Sequence, residues 1–184
     1  MRTSLRVLVA VMALGLLLTN GAGPASAKSA AEIDAEANQA LKALYEKSSA
    51  AKELGEKASG ILIFPTITKG GIIVGGEYGE GVLRAGGKSE SYYSSASGSI
   101  GLQLGISSRS LVIMFMTQDA LTHFMNADGW EVGVNADVTV VEAGATGSLD
   151  TTTSKSPVVA FNFGEAGLMA GVSIEGTKVS KIDR

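Results

Sequence analysis

The chain holds one histidine, His123, and no cysteine. A zinc site built from imidazole and thiolate therefore has almost nothing to draw on, and no serine is supplied with the base that a hydrolytic triad requires. His123 lies between Leu121 and Phe124 at the margin of a short apolar stripe, where a boundary histidine is a simpler reading than a general base. No G-x-S-x-G elbow is present. Asp128, Glu131, Asn135 and Asp137 could offer oxygens to calcium. Their spacing is not that of an EF-hand loop, and strict alternation sets the last three on the wet face of a strand. No catalytic residue, metal site or cofactor is expected from these residues, and the chain reads as a non-enzyme.

The glycines are more informative. Gly75-Gly76-Glu77-Tyr78-Gly79-Glu80-Gly81 superficially suggests a phosphate-binding loop. A dinucleotide fingerprint needs a strand before it and a helix after it, whereas here the glycines lie inside an alternating run with two carboxylates that would repel phosphate. Alternation puts Glu77 between Gly75 and Gly79 on one face. Gly101-Leu102-Gln103-Leu104-Gly105 does the same for Gln103. A polar side chain flanked by glycines has room for another group to close over it. Either these form a small polar pocket, or Glu77 and Gln103 form a buried, mutually hydrogen-bonded pair that fixes strand register. The second reading is favoured.

These residues need elements to hold them. Ser29-Ala30-Ala31-Glu32 is a capping box, and Ile33, Ala37, Leu41, Leu44 and Tyr45 recur at helical spacing, with a break near Ser48-Ser49. Glu32, Asp34, Glu36 and Glu46 nearly cancel Lys28, Lys42 and Lys47. A membrane-surface helix usually carries a strongly basic polar face, so this helix is expected to pack on its own domain. Strands are predicted over Gly60–Phe64, ended by Pro65, then Ile72–Ala85, Ser91–Gly105 and Leu111–Met116. Gly86-Gly87 and Ser107-Ser108-Arg109 should form turns. Thr117 should cap a short helix. Trp130–Val141 is the cleanest alternating strand, and Pro157–Phe163, Leu168–Ile174 and Lys178–Ile182 complete the set. The fold class is α+β: an N-terminal helix packed on a glycine-rich, curved, mainly antiparallel sheet, with one short helix inserted.

The ends and the composition bound the setting. Arg2 and Arg6 precede an apolar run from Val7 to Leu18, followed by Ala25-Ser26-Ala27, the three parts of a cleavable secretory signal. The run is shorter than the roughly 20 residues of a spanning helix. Residues 1–27 are expected to be removed, leaving 28–184 as one domain in the periplasm or outside the cell. Thirteen basic and eighteen acidic residues then remain, a net charge of −5 that disfavours nucleic acid as a partner. Glycine, 24 of 184 residues, is about twice the usual 7% and lacks a triplet period, which fits a curved sheet rather than collagen.

Gly60-Ile61-Leu62-Ile63-Phe64-Pro65, Lys69-Gly70-Gly71 and Val74-Gly75-Gly76-Glu77-Tyr78-Gly79-Glu80-Gly81-Val82-Leu83 closely resemble the signature of the SYLF family. Ser99–Gly105, Phe115-Met116-Thr117, Ala120-Leu121 with Phe124, Trp130–Gly133 and Val138-Thr139 are similar to its later blocks. The likeness runs from about Ala40 to the C-terminus. It implies a lipid-binding domain: animal and fungal members bind phosphoinositides, fungal ones also bind actin, and bacterial members are usually exported single domains. What carries over is binding of an anionic lipid or membrane surface. Actin and a particular lipid do not, because an exported protein would meet neither actin nor, ordinarily, phosphoinositides, and the leading helix is nearly neutral. Lys69, Arg84, Lys88 and Arg109, each in or beside a strand or turn, are the candidate headgroup contacts, with ordinary solubilising charge as the alternative. An outer-membrane barrel fits less well, since barrels carry aromatic girdles and this chain is 5% aromatic. An envelope structural or protein-interaction module with incidental lipid contact remains the other reading.

Overall fold

The computed structural model describes residues 27–71, 74–100, 107–141, 153, 155–169 and 173–184. Helix α1 (Ala30–Lys47) begins at the predicted capping box. Ser29 Oγ accepts from the Glu32 N–H at 3.3 Å, and Glu32 Oε2 accepts from the Ser29 N–H at 2.8 Å. Ser48 then serves both sides of the break. Its N–H donates to the Leu44 carbonyl at 2.9 Å, and its hydroxyl accepts from the Ala51 N–H at 3.1 Å, opening helix α2 (Ser49–Lys57).

Three long strands follow: β1 (Gly60–Gly71), β2 (Val74–Ala85) and β3 (Lys88–Ile100), with β4 (Ser107–Phe115) returning beside β1. Helix α3 (Gln118–Asn126) is capped by Thr117, whose hydroxyl accepts from the Ala120 N–H. The remaining strands are short: β5 (Trp130–Glu131), β6 (Thr139–Val141), β7 (Val158–Gly164), β8 (Gly167–Leu168) and β9 (Lys178–Ile182). Among the described residues they form one sheet in the order β5-β9-β3-β2-β1-β4-β7-β6, with β8 on β7. All pairings between strands are antiparallel except β6 with β7. The expected α+β architecture is therefore present, with helices on an almost wholly antiparallel sheet.

Both faces of the central strands are covered, which explains their unbroken apolar runs. On one face Ile63, Val82, Val112, Met114, Val159 and Phe161 pack against Ile33, Ala37, Ala40 and Leu44 of α1 and Ala51 and Leu54 of α2. On the other, Leu62, Phe64, Leu83, Leu111, Ile113 and Phe115 meet α3 and the segment around Trp130. Phe124 centres this second core, with ring centroids 4.9 Å from Tyr93, 4.7 Å from Phe115 and 5.4 Å from Trp130.

Three local expectations are corrected. Pro65 does not end β1. The strand passes through a bulge between Ile63 and Thr66 and continues to Gly71, and β2 accommodates that bulge with Gly81. A Cβ there would stand 2.3 Å from the Ile63 carbonyl oxygen. Ser107-Ser108-Arg109 is not a turn but the start of β4. Nor is Trp130–Val141 one strand. Gly133 takes φ +82°, and Asn135 Oδ1 accepts from the Glu131 N–H at 2.7 Å, so the chain turns between β5 and β6. Val134, assigned by alternation to the buried side, is 72% exposed. The Gly86-Gly87 turn is as expected, both residues having positive φ as a two-residue hairpin loop requires.

Candidate functional site

The central polar cluster lies on the α3 side of the sheet and crosses four adjacent strands. Register sets Lys69 of β1 opposite Glu77 of β2 and opposite Ser107 of β4, with Arg109 two residues further along β4. Arg109 Nη2 donates to Glu77 Oε2 at 2.7 Å, and Arg109 Nη1 donates to Asn162 Oδ1 on β7. Lys69 Nζ stands 3.9 Å from Glu77 Oε1. The Arg109 side chain is 7% exposed, Glu77 14% and Lys69 29%. A guanidinium this deep is tolerated only when paired and hydrogen-bonded. The Arg109 Nε atom has no hydrogen-bond partner among the described residues.

Of the expected pair, Glu77 is described and Gln103 lies outside the described residues. Glu77 is half-buried and bonded, and its partners are Arg109 and Lys69, while the space at Gly79 is taken by Thr66 and Ile67 of β1. Arg109, expected to project toward a headgroup, instead closes the end of the core. The reason is topological. β4 returns to pair with β1, so the side chain of Arg109 meets Glu77 across β1.

A second polar centre lies on the opposite face, beneath α1. Arg84 Nη1 donates to Asn38 Oδ1 at 2.7 Å, and Arg84 Nη2 donates to the Asp34 carbonyl at 3.2 Å. The Asp34 carboxylate accepts from Ser89 Oγ at 2.7 Å and from Tyr92 OH at 3.0 Å, and Arg84 Nη2 lies 3.9 Å from Asp34 Oδ1. Burial, then the hydrogen bond to Asp34, push the Tyr92 phenol above its ordinary pKa. Arg84 is thus the fastening of α1, and its charge is turned inward. Together with the burial of Ile33, Ala37, Ala40 and Leu44, this pins the nearly neutral helix to its own sheet.

Lys88 lies at the start of β3. It is exposed beside the Gly86-Gly87 turn and makes no salt bridge among the described residues. Of the four basic candidates, then, Lys88 is exposed, Lys69 and Arg84 are half-buried, with Arg84 turned toward α1, and Arg109 is buried. Lys69 and Lys88 stand at opposite ends of the long strands, about eight residue steps apart, or roughly 25 Å. Sequence reasoning missed Asp34, Asn162 and the Glu80–Arg184 pair. Glu80 also accepts from Tyr78 OH at 3.0 Å. Among the described residues no group of three or more His, Cys, Asp or Glu side chains gathers as a metal site would require.

Comparison with known proteins gives one finding. Residues 96–183 match the family model described as Ysc84, Las17-binding protein actin regulator. No curated protein matches the chain.

Proposed function

We propose that this chain, whose residues 96–183 match the Ysc84 (SYLF) family model, is an exported, non-enzymatic domain that binds anionic lipid headgroups at a membrane surface. The family is one of binding and regulatory domains, and that match carries the reading. Export rests on the signal-like residues 1–27, and the first residue of the exported form is then Lys28, readable from an intact mass.

The geometry narrows which residues would make the contact. Arg84 and Arg109 already spend their charge on Asp34 and Glu77, so surface contact falls to Lys88 and Lys69. A flat bilayer meets one end of a rigid sheet at a time, and about 1 kcal/mol per basic residue near the surface makes such binding weak and salt-sensitive. Separate Lys88→Glu and Lys69→Glu variants, co-sedimented with phosphatidylglycerol vesicles at low salt, should lose binding unequally. The variant that loses more identifies the end that touches lipid. Wild-type levels of binding in both would refute this assignment.

A second reading, a protein-interaction module, is favoured by the inward turn of Arg84 and Arg109, which leaves the surface with fewer projecting cations than the sequence offers. It takes over if no anionic vesicle is bound at low salt.

A further inference from the structure

Lys28 immediately precedes the N-cap of α1, and its backbone nitrogen is held in place from two directions. On the chain side, the Ser29 N–H donates to Glu32 Oε2 at 2.8 Å within the capping box. On the other, Lys28 Nζ is bridged to Glu36 at 2.5 Å. So anchored, Lys28 helps to wall a cavity of about 400 Å³ over β1 and β2, together with Thr66, Thr68, Tyr78, Glu80 and Arg184. Ala27, the residue before it, is exposed.

Glu80 is the one carboxylate among the residues of that wall. Its side chain is only 10% exposed, so its oxygens depend on donors from the protein. Oε1 accepts from Tyr78 OH at 3.0 Å and from Arg184 Nη2. Oε2 accepts from Arg184 Nε at 3.4 Å, longer than a good N–H···O bond, and has acceptor room left. Burial pushes the Glu80 carboxyl up, and hydrogen bonds from Arg184, Tyr78 and the Lys28 backbone N–H outweigh it. The Lys28 nitrogen is therefore already a donor to this carboxylate.

The chemistry of that nitrogen depends on processing. In the full-length chain it is a peptide N–H, one neutral donor. With residues 1–27 removed it becomes an α-ammonium, a full positive charge carrying three donors. It then stands at the positive end of the α1 dipole, where a cation is unfavourable unless a carboxylate compensates it. The charged and titratable groups around it are Glu32 and Glu36 of α1, Tyr78 and Glu80 of β2, and Arg184 beyond β9. Glu32 is bonded to Ser29 and Glu36 to Lys28 Nζ, which leaves Glu80 to take the new charge.

We propose that Glu80 is the receptor for the α-ammonium released when residues 1–27 are cut away, and that processing thereby locks the start of α1 onto β2. The proposal rests on the cleavage after Ala27 and on nothing in the lipid reading. The precursor holds Glu80 through Tyr78 and Arg184, and the processed chain holds it through a second cation as well. Maturation of the chain then raises the stability of the folded domain.

Proteins released from a removable fusion with defined first residues test this. One begins at Lys28 and one retains Ala25-Ser26-Ala27 before it, each also made with Glu80→Gln or Arg184→Gln. At pH 7 the Lys28 form should melt at least about 3 °C above the extended form, the scale of one charge-assisted hydrogen bond in a domain of this size. Amide exchange over residues 30–47 should be slower in it. Glu80→Gln should abolish the difference between the two forms. Arg184→Gln, which leaves the carboxylate to the α-ammonium, should enlarge it. Equal melting of the two forms, or a difference that survives Glu80→Gln, would overturn the clamp. The intact mass of the exported protein tests the cleavage point separately, and a first residue other than Lys28 would overturn the proposal at its premise.

Discussion

Replacing Glu77 with alanine should be among the most destabilising single changes in this domain. The carboxylate holds Arg109 Nη2 at 2.7 Å in a setting where the arginine side chain is 7% exposed and the glutamate 14%. Removing it leaves the guanidinium with the Asn162 amide oxygen and an Nε that already lacks a partner. It also frees Lys69, whose ammonium lay 3.9 Å from the same carboxylate. Breaking a buried pair from one side typically costs about 3–5 kcal/mol, because the remaining charge is stranded. At roughly 2–4 °C per kcal/mol for a domain this size, Glu77→Ala should melt about 6–20 °C below wild type. Urea unfolding followed by far-ultraviolet circular dichroism gives the free energy directly. Glu77→Ala combined with Arg109→Met, which removes both charges and keeps volume on the arginine side, should recover part of the loss. A Glu77→Ala cost below about 1 kcal/mol, the range of exposed pairs, with no recovery in the double variant, would refute the idea that this cluster is a buried clamp.

Asp34→Ala should loosen α1 while leaving the sheet intact: amide exchange across residues 30–47 should accelerate relative to β4, with an overall cost of about 1–3 kcal/mol from lost charge-assisted hydrogen bonds. Burial raises the Glu80 carboxyl pKa, but the hydrogen bonds from Arg184 and Tyr78 outweigh it and hold the group below its ordinary value. Its contribution is therefore present above the usual glutamate range and lost as pH falls through the lowered value, so Glu80→Gln should flatten the acid limb of a stability–pH curve. Gly81→Ala should cost about 1–3 kcal/mol or more, because its Cβ would meet the Ile63 carbonyl oxygen at 2.3 Å and Phe64 Cδ1 at 2.6 Å. Gly98→Ala, whose Cβ would meet nothing within 4 Å among the described residues, should be neutral or slightly stabilising, and the two melting temperatures should differ accordingly.

What the sequence made legible was local. The Ser29 capping box, the break at Ser48, the Thr117 cap and the Gly86-Gly87 hairpin are each specified by neighbouring residues, and each is present. Trp130–Val141 misled because perfect alternation carries no information about φ at Gly133. A single left-handed residue, with Asn135 bonding back to Glu131, turns the chain where the pattern shows a strand. Ser107-Ser108-Arg109 read as a turn because three polar residues in a row have no local means of satisfaction in a core. The means are remote, on β2 and β7. Glu77 shows the limit most clearly. Its glycine neighbours marked it as enclosed, but naming Arg109 as its partner needed the strand order β2-β1-β4, which no local spacing encodes. The same holds for Arg84, which is indistinguishable in sequence from a surface cation until α1 lays Asp34 and Asn38 over it.

The central claim, a SYLF-type domain that meets anionic membrane surfaces through projecting charge, is tested most directly by vesicle flotation of the exported protein across a salt series. Phosphatidylglycerol vesicles should carry the protein to the top of the gradient at low ionic strength and release most of it near 0.15 M, where the Debye length is about 8 Å, while phosphatidylcholine vesicles should not carry it at all. Equal flotation with both lipids, or none with either at low salt, would contradict the account.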